Sequence, residues 1–533
     1  MVCPPDPCIR HLKRHHPQAK TFFLQICKIR LYKEKIVKSF FASHIYRKQF
    51  SIYLHHTPPP TTMPSHRHHR ILLIPYPVQG HINPTFEFAK RLITLGAHVT
   101  ISTTLHMHNR ITNKPTLPNL SYLPFSDGFD DGFQGKDKDA YLLYHAEFKR
   151  RGSEFVVKTI LYNSQQGTPF TCLVHSLLLQ WAAQAARELH LPTALLWVQP
   201  ATVFDILYYY YHGFSDSIKK PSRSIELPGL PLLLSPRDLP VFLLESCSSA
   251  YALLVSFFEQ QFNDLDVETN PTTILVNSFE ALEPEALRAV EKLNMISIGP
   301  LISSAFLDER DPTDGTSFGG HAQAHIFQPS NGCVEWLDSK TEKSVVYVSF
   351  GSHCVVSEIQ MEEIARALLD CGFPFLWVIR EAKEGEKEED LSCRKELEEK
   401  GKIVKWCSQV EVLSHPSLGC FLTHCGWNST LESLVSGVPM VAFPQWADQT
   451  TNAKLIEDVW KIGVRVDHEL KEDGTVGGDE IRRCLEVVMG SGEKGDEMRR
   501  NAEKWKGLAR EAVNEGGSSD KNLRAFLDRI AES

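Results

Sequence analysis

The stretch RILLIPYPVQGHINPTFEFAKRLITLGAHVTIST, Arg70–Thr103, decides how the chain is organised. An unbroken apolar run is followed by a glycine-containing loop, a helical pattern and a second apolar run. Asn83 reads as the N-cap of the helix and Pro84 as its first residue. Phe86, Ala89 and Ile93 fall on one face at i, i+3 and i+7, and Gly96 supplies the stop. HVTIS follows so soon that the two strands must run parallel. Their continuous apolar character suits a sheet covered on both faces. This is a βαβ unit.

The pattern recurs. TCLVHS (171–176) leads into the helical LLLQWAAQAARELHL, and TTILVNSFEALEPEALRAVEKL (272–293) runs on to MISIGPL. Residues 308–333 turn irregular and rich in Asp, Gly, Ser and Pro, which marks a linker. The alternation then restarts with SVVYVSFGS (344–352). Ser357 and Gln360 form a capping-box pair for a helix through Leu369. FPFLWVIR is the next strand, EAKEGEKEED (381–390) a solvated loop, and GKIVKW, GCFLTHCG and VPMVAFP are three further strands. Met498, Ala502, Trp505, Ala509 and Ala512 make a helical stripe ended by Gly516 and Gly517, and SSDKNLRAFLDRI is a last capped helix. The expectation is an α/β protein in two repeating halves: 63–307, a linker 308–333, 334–515, and a C-terminal helix 516–533.

Bulk properties narrow the function. With 533 residues two domains are expected, and 42% hydrophobic with 23% charged residues is ordinary globular composition. A net charge of -8 argues against a nucleic-acid partner. No run of about 18 apolar residues supports a transmembrane helix. Thirteen cysteines without framework spacing suit a reducing compartment. Residues 1–62 are rich in Lys, Arg and His with Asp6 and Glu34 as their acids, so a transit peptide is one reading. The other, preferred here, is an upstream extension outside the working protein, with Met63 as its natural start. A cytoplasmic monomer is expected, with plastid targeting left open.

FLTHCGWNSTLES, Phe421–Ser433, concentrates the chemistry. It leads from a strand into a helix of about Ser429 to Ser436, the place where open parallel sheets bind ligands. A zinc site from Cys407, Cys420, Cys425, His415 and His424 lacks any C-x2-C pair and would be scattered by a strand and a helix. A helix N-terminus with free N–H groups, and with His424, Asn428 and Ser429 around it, suits a diphosphate. Gly426 would let that ligand approach closely. Ser429 with Glu432 is equally a capping box.

The 44 residues Trp406–Gln449, WCSQVEVLSHPSLGCFLTHCGWNSTLESLVSGVPMVAFPQWADQ, resemble from end to end the signature box of plant family-one UDP-glycosyltransferases. GHINP, VVYVSFGS and KNLRAFL extend the resemblance over roughly residues 70–533. It implies the GT-B architecture, two Rossmann-like domains facing a cleft, with the C-terminal helix packing back on the first domain. It further implies that Trp406 stacks on uracil and the Cys407 backbone pairs with it, while Gln409 and Glu432 hold the ribose. Ser352, His424, Asn428 and Ser429 would hold the diphosphate, and Trp427, Asp448 and Gln449 would face the sugar. A Gln closing the box, together with Trp427, resembles glucose-using members, so UDP-glucose is the expected donor substrate, with no metal or other cofactor required. His81, at the end of the first strand, would be the base that deprotonates the acceptor; the helix N-terminus and His424 would stabilise departing UDP.

One position departs from the pattern. Many relatives carry an Asp at the end of the third-strand segment to orient the histidine; here CLVHSLLLQW places Ser176 there, beside His175. A hydroxyl can hydrogen-bond imidazole but cannot stabilise imidazolium as a carboxylate does, so acceptors that ionise easily are expected. Asp127, Asp130 or Asp131 in PFSDGFDDGF could replace the carboxylate, though a solvated turn is the simpler reading. Together with LLLQWAA and QPATVFDILYYYY, these features resemble the subgroup of anthocyanin 5-O-glucosyltransferases and of enzymes forming glucosyl esters of indole-acetate, abscisate or crocetin. Tyr208–Tyr211 either line the acceptor pocket or pack a helix. An inverting glucosyltransferase acting on a small hydrophobic plant metabolite follows. The alternatives are another UDP-sugar on the same fold, or a nucleotide-sugar-binding protein without activity.

Overall fold

In the computed structural model the described residues are 69–532, apart from 112–113, 136, 222, 268–271, 308–329, 331, 353, 381–390, 468–470 and 472–473. The N-terminal extension, most of the expected linker and the EAKEGEKEED loop therefore lie outside the described residues.

The first sheet holds seven parallel strands: β1 (Arg70–Ile74), β2 (His98–Ile101), β3 (Leu120–Tyr122), β4 (Cys172–Ser176), β5 (Thr193–Trp197), β8 (Thr273–Val276) and β9 (Asn294–Ser297), in the order β3-β2-β1-β4-β5-β8-β9. A two-stranded ribbon, β6 (Ile225–Glu226) and β7 (Leu233–Leu234), lies apart from it. The second sheet holds six parallel strands: β10 (Val345–Ser349), β11 (Phe375–Val378), β12 (Lys402–Val404), β13 (Leu418–Thr423), β14 (Met440–Ala442) and β15 (Gly463–Arg465), in the order β12-β11-β10-β13-β14-β15. The two sheets have the doubly wound form, and each reverses its strand order once. The reversal falls between β1 and β4 in the first and between β10 and β13 in the second. Those two crevices are where a parallel sheet offers a ligand loop ends and helix N-termini.

The strands carry near-continuous apolar runs because helices cover both faces. Ile71–Ile74, Cys172–Val174, Val345–Val348 and Cys420–Leu422 are at most 1% exposed. The expected C-terminal arrangement holds. Helix Glu493–Val513 buries Met498, Ala502, Ala509 and Ala512. After Gly516 (φ 78°), helix Ser518–Glu532 inserts Leu523, Phe526, Leu527 and Ile530 into the core of the first sheet. Ser519 Oγ donates to Gly299 O at 2.6 Å and Asn522 Nδ2 to Ser297 O at 2.9 Å, pinning the helix to the end of β9.

Three local expectations are corrected. The helix after β1 begins at Gln79 with Val78 as N-cap, so neither Asn83 nor Pro84 starts it; Pro84 is interior. Val78 O accepts from both His81 N and Ile82 N at 3.0 Å, which closes the first turn before the proline is reached. Ser357 does cap helix Glu358–Cys371, accepting from Gln360 N at 3.3 Å. The Gln360 side chain, however, pairs with both backbone groups of Val476 (3.0 and 2.8 Å) instead of completing a box. The segment after β8 forms a single 3-10 turn, Ala286–Arg288, since Glu283 is drawn inward to accept from the N–H groups of Ala201 and Thr202 at the start of helix Ala201–Tyr209.

Candidate active site

His81 lies in the first turn of the helix that follows β1, and Ser176 is the last residue of β4. Because Ile74 is in register with His175, the crevice between these strands brings the two together. His81 Nδ1 is 2.9 Å from Ser176 Oγ, which also accepts the Tyr76 N–H at 2.7 Å. Ser176 is 1% exposed, so the pair is shielded from one side. For Nε2 to act as a base, Nδ1–H must donate to Ser176 Oγ, whose second acceptor position is still free to receive it. Neighbouring His175 takes no part. It is buried with Nδ1 3.0 Å from Ser176 O, and desolvation pushes it down to about 4.

Beside His81 stands Tyr76, the front of an aromatic cluster whose members lie far apart in the chain. The Tyr76 ring lies 5.5 Å from the His81 ring and 6.0 Å from Phe148, which is 5.4 Å from Trp181 and stacks at 6.0 Å on Tyr144. Asp127 does not reach the histidine's support role. It is buried rather than solvated and accepts the Phe129 N–H at 2.8 Å within its own turn, whereas Asp130 and Asp131 are exposed. The four tyrosines pack the scaffold: Tyr208 stacks on His212 at 3.9 Å, Tyr210 is buried, and the Tyr209 and Tyr211 hydroxyls donate to Ala289 O and Val255 O.

Across the cleft, the second crevice carries the other set. Ser349 is in register with Thr423, so the loop holding Ser352 and the turn holding His424 sit side by side. A Cβ on Gly351 or Gly426 would stand 2.6 or 2.5 Å from His424 Nε2. The space that Gly426 leaves is thus filled by the imidazole, not kept for a ligand. Burial, assisted by the Arg380 charge, pushes His424 down to about 4, which makes it a neutral hydrogen-bond group. Arg380, at the end of β11, donates to the carbonyls of Ser352 and Cys354 and so holds this loop. Its signal was in the sequence: an apolar strand, FPFLWVI, closing on a charge at its carboxyl end.

Helix Trp427–Ser436 starts at Trp427 with Gly426 as N-cap and no side-chain cap, which removes the capping-box reading of Ser429 and Glu432. Both instead accept from Gln409 Nε2, at 2.7 and 2.6 Å, and the Tyr347 hydroxyl donates to Gln409 Oε1 at 3.2 Å. Burial pushes Glu432 up to about 7. Trp406 is partly exposed after β12, and Cys407 is buried with its thiol 3.4 Å from Tyr347 Oη and pushed up to about 12, too high to serve as a nucleophile. Asp448 accepts from Asn452 Nδ2 at 2.8 Å, and burial pushes its carboxyl up to about 6. Gln449 Oε1 accepts from Gln445 N and Trp446 N, so its NH2 is the end available to a ligand. The Trp427 indole donates to Asn277 O at 2.8 Å and packs 6.0 Å from Trp460, so the ring sits in the seam between the halves. Among the described residues, no three His, Cys, Asp or Glu side chains gather as a metal site.

The halves are tied together beside this site. Asn428 Nδ2 donates to Gly80 O at 3.0 Å, and a buried ion pair joins Arg465 to Asp238 at 2.7 Å. Thr450 and Thr451 donate to Leu239 O and Asp238 O, both at 2.7 Å.

The family described as UDP-glucoronosyl and UDP-glucosyl transferase matches residues 314–481. Phloretin 4'-O-glucosyltransferase of Malus domestica is 58% identical over 483 residues, 87% of this chain and 98% of that protein. The chain belongs to this family. Crocetin glucosyltransferase, chloroplastic, of Gardenia jasminoides is 55% identical to the transferase over 467 residues, 86% of this chain and 96% of the relative. Os79 from O. sativa in complex with UDP superposes with a TM-score of 0.73 at 33% identity, covering 86% of the transferase and all of Os79. The fold is therefore that of the GT-B UDP-glycosyltransferases. Among the described residues of the transferase, no helix is long and apolar enough to cross a membrane.

Proposed function

We propose that the transferase moves glucose from UDP-glucose to an ionisable hydroxyl or carboxyl of a small, largely apolar plant metabolite, with inversion to a β-glucoside or β-glucosyl ester. In this reading the first half, residues 63–307, holds the acceptor, and the second, 334–515, holds the nucleotide sugar. The observation that carries it is the His81–Ser176 pair at one sheet's crevice, facing the donor cluster of His424, Asn428 and Ser429 at the other's.

His81 Nε2 takes the acceptor proton as the acceptor oxygen bonds to the anomeric carbon; the bond from that carbon to the diphosphate oxygen breaks, and its electron pair leaves with UDP. The N-terminus of helix Trp427–Ser436 and the neutral donors His424, Asn428 and Ser429 receive the growing charge. Gln409 and Glu432 suit the ribose hydroxyls, since their side chains already share hydrogen bonds. Asp448 and the Gln449 NH2 offer an acceptor and a donor to the sugar.

The acceptor class follows from chemistry beside His81 and from relatives. Tyr76 beside His81 and the partly exposed Tyr144, backed by the buried Phe148 and Trp181, favour flat or conjugated molecules. Ser176 gives the base less help than a carboxylate, so a carboxylic acid, already ionised at neutral pH, or an acidic phenol (pKa about 10) is preferred over a simple alcohol. The names phloretin 4'-O-glucosyltransferase and crocetin glucosyltransferase cover one phenolic and one carboxylic case. The test is a screen of matched carboxylic, phenolic and alcoholic acceptors with UDP-glucose and UDP-galactose, reading UDP release and product linkage. Preference for unactivated alcohols, an α-linked product or faster use of UDP-galactose would each overturn part of the reading. UDP binding without turnover on any acceptor would favour a binding protein instead.

A further inference from the structure

We infer that Asn428 is a positioning residue for the base: its Nδ2 bridges the helix that carries His81 to the diphosphate cradle and sets the distance between them. The inference rests on the reading of His81 as the base.

The argument begins with Pro84. A proline inside a helix has no N–H for the carbonyl four residues earlier, and its ring pushes that carbonyl off the helix axis. Here that carbonyl belongs to Gly80, immediately before His81. It is not left open, since it accepts from Asn428 Nδ2 at 3.0 Å. Asn428 is the second residue of helix Trp427–Ser436, and the first, Trp427, also reaches across, its Nε1 donating to Asn277 O at 2.8 Å. Asn277 is itself fixed, since its Oδ1 accepts the Leu301 N–H at 2.8 Å. Pro84, Asn277 and Asn428 line one cavity at this seam, with Glu432 on its wall. His81 is thus held from two directions. Its ring pairs with Ser176 in its own half, and the peptide before it is held by the other half.

An amide nitrogen carries two hydrogens. One is committed to Gly80 O. The other is available at the helix N-terminus, where a diphosphate oxygen would bind. A single nitrogen would then touch both the leaving group and the backbone that positions the base. Donor binding and base placement become one geometric event, and an error of 1 Å in such placement costs on the order of a hundredfold in rate. Loss of the diphosphate contact would itself lower kcat, because charge grows there in the transition state, so the bridge is read from Pro84, which touches no nucleotide.

A double-mutant cycle on the full chain tests this. Pro84→Ala supplies an N–H that draws the Gly80 carbonyl back into the helix without touching any nucleotide contact, and alanine inside a helix does not threaten folding. We expect Pro84→Ala to lower kcat about three- to tenfold while the Kd for UDP stays within about twofold, the scale of one hydrogen bond. Asn428→Ala lowers kcat at least about tenfold and also weakens UDP. In the Asn428→Ala background, Pro84→Ala has no further effect on kcat. Multiplicative losses in the double variant, or an unchanged kcat for Pro84→Ala alone, overturn the bridge while leaving the reading of the reaction intact. Absence of UDP-glucose turnover by the wild-type chain overturns that reading and this inference together.

Discussion

The second sheet draws nearly all of its share of the site from the 44 residues Trp406–Gln449, whereas the first assembles its share from Tyr76, Gly80, His81, Tyr144 and Ser176, spread over a hundred residues. The physical reason lies in what each half would hold. A diphosphate and a ribose call for backbone N–H groups, small donors and a carboxylate, which one strand–turn–helix supplies locally. A base must instead be oriented by a neighbouring strand, and an apolar acceptor must be enclosed by several elements, so those parts come together only in three dimensions. The contrast predicts that removing the His81 side chain stops the proton chemistry while nucleotide binding persists, even though Asn428 links the two halves.

The sharpest way to break that separation is His81→Ala. Loss of a general base costs about a hundred- to ten-thousandfold, and the Kd for UDP, measured calorimetrically, stays within about twofold. A parallel loss of UDP affinity would show that the two halves do not divide the labour.

Arg380 probes the other side. The guanidinium holds the Ser352 and Cys354 carbonyls and helps keep His424 neutral. We expect Arg380→Gln to lower kcat/KM for UDP-glucose about tenfold or more, as for loss of charge-assisted hydrogen bonds, and Arg380→Lys, which keeps the charge and loses the fork, to fall between. Kinetics on both variants decide it; equal activity of glutamine and arginine would remove Arg380 from the cradle.

Nucleotide binding should also depend on pH. Burial raises Glu432 to about 7 from its ordinary value of 4.5. Ribose hydroxyls donate to the ionised form, so UDP affinity is greatest above pH 7 and falls as pH drops below it, by at most tenfold per unit. The same group acts on stability in the opposite sense. Its folded value is raised, so stability present below about pH 4.5 is lost as pH rises through 7 in the nucleotide-free protein, and Asp448, raised to about 6, adds to the trend. Calorimetry in buffers of different ionisation enthalpy should show proton release on UDP binding near pH 7, abolished in Glu432→Gln.

How much of this was legible in the chain depended on the range of the interaction. The βαβ alternation and the strand ends that carry His81 and His424 follow from patterns a few residues long, and the proposed cradle roles from the resemblance of the whole Trp406–Gln449 box. The helix start at Gln79 did not, because Asn83–Pro84 has the composition of an N-terminus and what overrides it is the earlier turn closing on Val78 O. Ser429 with Glu432 has capping-box spacing, yet Gln409, twenty residues away, takes both side chains. The packing of the Trp427 ring was hidden for the same reason: its partner Asn277 lies in the other half. Local chemistry named the candidates, and distant partners decided which way each one faced.

Ser176 offers the smallest and most specific test, because it changes which acceptors react rather than whether they react. Its hydroxyl serves two groups at once, the Tyr76 N–H and His81 Nδ1. A carboxylate there would accept from both, fix the tautomer with Nε2 free, and stabilise imidazolium as the proton arrives. That help matters most for an acceptor that must lose its proton during attack and least for one already ionised. Ser176→Asp should therefore raise the rate on a phenol or alcohol relative to a matched carboxylic acid by about three- to tenfold. Ser176→Ala should lower that same ratio. The site is almost fully buried, so a larger side chain will cost stability, but a ratio measured on one preparation cancels the folded fraction. An unchanged ratio in both variants would mean that Ser176 holds the Tyr76 backbone and leaves the choice of acceptor to the aromatic cluster.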